Sequence, residues 1–158
     1  MLNKAAIAID DFVARGVFRA DAPQVGAAGM TTWHIRWFGG HVMKLAVSER
    51  EVSIAPLLPP LDARSPLYRE LSAWLRAQQS AELPVHRRLD PARYTLDLRN
   101  RGGEIRLTLR VTGEAPDTLV RRAVQLVNAV YLDFLNGPGR LEWQIEAFGL
   151  DPDNPRLS

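Results

Sequence analysis

Between Thr31 and Ala55 apolar and polar residues alternate with period two, the mark of half-buried strands. Trp33, Ile35 and Trp37 alternate with Thr32, His34 and Arg36. His41, Met43, Leu45 and Val47 alternate with Val42, Lys44 and Ala46, and Val52 and Ile54 continue the pattern beyond Ser48–Glu51. The join Phe38-Gly39-Gly40 decides the register. A two-residue Gly-Gly turn would set Lys44 opposite Ile35. An odd-length loop pairs Ile35 with Met43 and Trp33 with Leu45 and keeps the large apolar residues on one face. A three-residue turn with a glycine bulge is therefore expected. The next turn brings Val47 opposite Val52 and Leu45 opposite Ile54, and Pro56, Pro59 and Pro60 stop the sheet.

The same reading extends to the rest of the chain. Residues 2–18 carry Leu2, Ala5, Ile9, Phe12 and Val13 on one helical stripe. Residues 20–30 read as a loop. Residues 66–79 read as a second helix, with Ser65 as N-cap and Pro66 at its first position. Residues 93–99 and 104–111 form a hairpin around Asn100-Arg101-Gly102-Gly103, with Tyr94, Leu96, Leu98, Ile105, Leu107 and Leu109 inward. Leu98 is expected opposite Ile105. That register sets Arg99 against Glu104, Asp97 against Arg106 and Thr95 against Thr108, and leaves Arg93 facing Arg110. A third helix runs from about Pro116 to Asn136, ended by Gly137 with Pro138 behind it. Leu141, Trp143, Ile145 and Ala147 alternate with polar residues, which predicts a last strand over 141–148, with a short helix as the rival.

The sum is an α+β fold: an antiparallel sheet of five or six strands packed against helices, in the order α-β-β-β-α-β-β-α and a final segment. The length of 158 residues fits one domain with one core, residues 1–150, followed by a loose end at 151–158. This order resembles, over residues 2–136, the sandwich of type III secretion chaperones and of small bacterial regulators that share it. The resemblance implies a non-enzymatic role in which a dimer holds an extended segment of a partner protein. This chain departs from those chaperones in charge: they tend to be acidic, and here the formal net charge is +2.

The third helix bears on self-association. One apolar row holds Leu119, Ala123, Leu126, Val130 and Phe134, and a second holds Val120, Val124, Val127, Tyr131 and Leu135. Together they exceed the stripe that a helix needs to sit on one sheet. Either a neighbouring helix of the same chain covers the surplus, or Val120, Val124, Val127, Tyr131 and Leu135 form the surface of a homodimer.

Composition adds mostly exclusions. No cysteine is present, which removes disulfides, thiolate metal sites and a cysteine nucleophile. No apolar run approaches the ~18 residues needed to span a bilayer, and no basic leader with a cleavage site opens the chain, so a cytoplasmic protein without membrane contact is the default. Charge is uneven along the chain: residues 87–110 hold Arg87, Arg88, Arg93, Arg99, Arg101, Arg106 and Arg110 against Asp90, Asp97 and Glu104. The outer face of the hairpin, with Arg93, Asp97, Arg99, Glu104, Arg106 and Arg110, could be a nucleic-acid platform. It has no aromatic to stack on bases, and the expected cross-strand pairs neutralise much of it. No nucleic-acid binding beyond the non-specific level is expected.

His34 and His41 point to opposite faces and cannot share a metal, and His86 reads as a loop residue. Asp10 and Asp11 diverge on their helix. Asp133 shares a polar row with Arg122, and Glu142 and Glu146 lie four residues apart. No phosphate loop, nucleophile elbow or dinucleotide fingerprint occurs, so no cofactor or metal is expected. Trp33, Trp37, Trp74 and Trp143 fall on apolar faces and read as core. Two functional readings remain: a protein-binding or adaptor module, and a small-ligand domain or enzyme with a pocket between sheet and helices.

Overall fold

The alternating segments become strands because each can bury one face against a common helical layer. The computed structural model describes residues 2–84, 89–113, 116–137 and 140–153. Helix α1 spans Leu2–Ala14. Two short strands follow, β1 (Arg19–Ala20) and β2 (Gln24–Val25), where a loop was expected. Strands β3 (Thr31–Arg36), β4 (Val42–Val47) and β5 (Glu51–Ala55) form the meander. Helix α2 (Pro66–Ala77) precedes the hairpin β6 (Tyr94–Arg101) and β7 (Glu104–Val111). Helices α3 (Pro116–Ala129) and α4 (Leu141–Phe148) complete the order. The fold is α+β, and the antiparallel sheet has the path β1-β3-β4-β5-β7-β6, with β2 alongside β3.

The meander has the expected register. Ile35 faces Met43, Trp33 faces Leu45, Leu45 faces Ile54 and Val47 faces Val52. The three-residue join works because Gly39 and Gly40 both take positive φ, at 61° and 74°. The Ser65 side chain accepts from the Tyr68 N–H at 3.2 Å and caps α2.

The second hairpin is shifted by two residues. Leu98 faces Leu107, Arg99 faces Arg106, Asp97 faces Thr108 and Thr95 faces Arg110. Gly102 and Gly103 adopt positive φ in succession, so they close a two-residue loop and the strands run on to Arg101 and Glu104. A shift of two keeps every side chain on its face and changes only its partner. Asn100 holds this end: its amide donates to the Leu61 carbonyl at 2.8 Å, and its side-chain oxygen accepts from the Gly103 N–H at 2.9 Å.

The segment 141–148 is a helix, not a strand. Its inward residue is Gln144, which is buried and donates to the Leu135 carbonyl. The alternation failed as a guide because a polar side chain points inward to satisfy a carbonyl at the end of the preceding helix. Gly149, left-handed at φ 64°, ends α4 and was the available signal.

Helix α3 runs on into a wider π-helical turn, Val130–Phe134, in which the Leu135 N–H reaches back to the Val130 carbonyl at 2.9 Å. The wide turn places Val130, Tyr131, Phe134 and Leu135 inward and leaves Leu132 exposed. The row considered for a dimer surface lies inside the single chain. Val120, Val127 and Leu135 are 0% exposed, and Val124 and Tyr131 are 2% exposed. Helix α1 packs along α3, and β5 and β7 lie beneath it. The surplus apolar surface is thus covered from within.

All four helices contribute to one apolar cluster with the inward face of the sheet. Trp33 and Trp37 are buried there, and Trp74 and Trp143 are packed against it. Rings run in series through this layer. Phe12 meets Phe18 at 5.9 Å, Phe18 meets Trp37 at 5.2 Å, and Trp37 stacks on Phe38 at 4.7 Å. Phe38 stacks on Tyr131 at 3.9 Å, and Tyr131 meets Phe148 at 5.9 Å. The space between sheet and helices, where a ligand pocket was considered, is filled here by these side chains.

Candidate functional site

With the helices on one face, the other face of the sheet is left open. It forms a shallow trough of about 780 Å³. Its middle row crosses five strands as Thr32, Ala46, Ser53, Thr108 and Asp97, each the cross-strand partner of the next. Ala46 and Thr108 are 8% and 6% exposed although no helix covers them, because neighbouring side chains stand above them. Small residues therefore make the floor and long charged ones make the walls.

The walls carry Lys44, Arg99, Arg101, Arg106 and Arg110 against Glu51, Asp97 and Glu104. Two of the cations are paired. Arg110 Nε lies 2.8 Å from Glu51, across β7 and β5, and Arg99 Nε lies 3.0 Å from Asp97 on its own strand. The expectation that Arg110 faces Arg93 fails with the register, since β5 supplies its carboxylate. Among the described residues Lys44, Arg101 and Arg106 have no ion-pair partner. Exposed pairs of this kind add little to stability, about 0–1 kcal/mol.

The other titratable groups lie on both sides of the sheet. His34 pairs with Lys44 across the strands, on the trough side of the sheet. His41 lies at the far end of the core, its Nε2 2.8 Å from the Pro56 carbonyl and its ring edge-on to Phe148 at 6.0 Å. The two histidines do not meet. Residues 85–88, and so His86, lie outside the described residues, as do 138–139 and 154–158. Asp11 accepts from Arg121 at 2.8 Å and pairs with Arg15 at 3.2 Å, tying α1 to α3. The Arg121 hydrogen bond holds its carboxyl below the usual range. Arg122 and Asp133 flank a small hollow of about 180 Å³ beside Gln78 and Leu89. Among the described residues no group of three or more histidines and carboxylates could hold a metal ion. No described helix is long and apolar enough to cross a membrane.

Burial pushes His41 below its ordinary value of 6.5, and the bond to the Pro56 carbonyl opposes that only in part. The folded chain therefore favours the neutral ring. As pH falls below 6.5 the unfolded chain takes up a proton that the folded chain resists. Stability from this residue is complete above that value and declines as pH drops toward the depressed folded one. Thermal unfolding followed between about pH 7 and about pH 5 is expected to show a steeper loss for the native chain than for His41→Gln. Equal slopes would place the ring in water.

No family model, curated protein or solved structure matches this chain.

Proposed function

We propose that the protein is a non-enzymatic binding module that holds a partner protein on the open face of its sheet. The observation that carries this reading is the trough itself, with its floor of Ala46, Ser53 and Thr108 and its charged walls. A small-residue floor lets a partner approach the strands closely, and flanking long side chains can fold over it. The trough is not enclosed and its lining draws on five strands, a shape that suits a chain segment better than a buried small molecule. The order of elements expected from the sequence resembles that of secretion chaperones, which favours the same reading by analogy alone. A homodimer is no part of the reading, since the row that suggested it is internal.

The test uses a photo-crosslinking amino acid in place of Ser53, with Arg76 on the exposed side of α2 as the comparison position. A discrete protein adduct is expected from position 53 and none from position 76. The captured protein is then purified and titrated against the native chain and against Ser53→Trp, which fills the floor. Direct binding that is lost in Ser53→Trp, with melting unchanged, supports the reading. Equal adducts from both positions, or binding indifferent to Ser53→Trp, would overturn it.

A further inference from the structure

We infer that the segment held in the trough is acidic, a stretch of partner protein whose carboxylates meet Lys44 and Arg106; this rests on the binding reading above. The register places the cations in one line. Lys44 on β4 faces Ala55 on β5. One residue past the Ile54–Leu107 pair, Ala55 and Arg106 are the next positions of β5 and β7, and Arg106 faces Arg99 on β6. A row of Lys44, Ala55, Arg106 and Arg99 thus crosses four strands, directly beside the row of small and hydroxyl side chains.

Arg99 is occupied by Asp97, whereas Lys44 and Arg106 have no ion-pair partner among the described residues. Two exposed cations stand two strand spacings apart, about 10 Å, with the alanine methyl between them. Alternate residues of an extended chain share a face about 7 Å apart, a spacing that two long cations about 10 Å apart can meet. Arg101, also exposed, adds a third cation at the hairpin end. Like charges held at fixed positions by a sheet repel one another, and an anion placed between them relieves the repulsion.

The chemistry favours a peptide over nucleic acid. Glu51, Asp97 and Glu104 stand among the cations and would repel an unbroken phosphate backbone. The lining contains no aromatic ring on which a base could stack. A peptide can alternate carboxylates with neutral residues, placing the first against Lys44 and Arg106 and the second against Ala46, Ser53 and Thr108.

The probes are fluorescein-labelled twelve-residue peptides, one of alternating Glu and Ser and one with Gln for every Glu, and an oligothymidylate of the same length. Fluorescence anisotropy with the native chain is expected to show the Glu peptide bound at least about tenfold more tightly than the Gln peptide. The preference should fade as salt is raised from about 50 to about 500 mM. The double variant Lys44→Glu/Arg106→Glu should lose it, and Arg76→Glu should keep it. Circular dichroism confirms that both variants fold. Glu and Gln peptides that bind alike, or fail alike, overturn the acidic partner, as does oligothymidylate bound as tightly as the Glu peptide. The two readings fail separately. A position-53 adduct without charge preference leaves the docking face and removes the acidic segment. Charge-dependent peptide binding without that adduct removes the native protein partner.

Discussion

Tyr131→Glu is expected to abolish folding. Tyr131 is 2% exposed, stacks on Phe38 with ring centres 3.9 Å apart, and donates its hydroxyl to the Leu57 carbonyl at 2.7 Å. Burial raises its phenol well above the ordinary value, which shows how strongly this position penalises charge. Removing a buried aromatic side chain costs about 3–5 kcal/mol. An unpaired carboxylate in its place adds several kcal/mol more. The whole stability of a domain is about 5–15 kcal/mol, so the native state should not survive. Circular dichroism of the soluble fraction reads the outcome. Tyr131→Phe provides the contrast: it keeps the ring, leaves the Leu57 carbonyl without its donor, and should cost about 1–3 kcal/mol. A glutamate variant that melts like the native chain would place Tyr131 at the surface after all.

The second large effect is expected at Trp37. Its ring stacks on Phe38 at 4.7 Å and meets Phe18 edge-on at 5.2 Å. It therefore joins the end of β3 to the rings of the α1 region on one side and to Tyr131 on the other. Trp37→Ala opens a cavity among side chains that already pack on one another, and a loss of about 3–5 kcal/mol is expected. Urea unfolding should show a lower midpoint with an unchanged slope, because the area exposed on unfolding barely changes. A loss below about 1 kcal/mol would mean that the neighbouring rings close the gap.

The open face of the sheet was half legible. Alternation marks Thr32, Lys44, Ala46, Ser53, Arg99, Arg106 and Thr108 as outward, and the charge of the hairpin is plain. Its reading as a self-neutralised surface depended on Arg99 meeting Glu104 and Asp97 meeting Arg106, and the two-residue shift removes both pairs. Glu104 instead faces Arg101 without an ion pair, and Arg106 is left beside Arg99. The paired glycines were visible, but the length of loop they close depends on how the strands end.

Elements governed by neighbours in sequence could be derived without the structure. The β3–β5 register follows from period-two alternation and one odd loop, and the start of α2 follows from Ser65 and Pro66. Both depend on backbone geometry within a few residues. Three features depend on residues far apart. Strand β7 lies between β5 and β6, which alone brings Thr108 beside Ser53 and Arg110 beside Glu51. Helix α1 covers α3, so the row Val120, Val124, Val127, Tyr131 and Leu135, considered for a dimer surface, is core. Helix α4 folds back to offer Gln144 to the Leu135 carbonyl. In each case a local pattern was compatible with two partners, and the choice was made by which distant surface could bury the apolar area and satisfy the backbone at once.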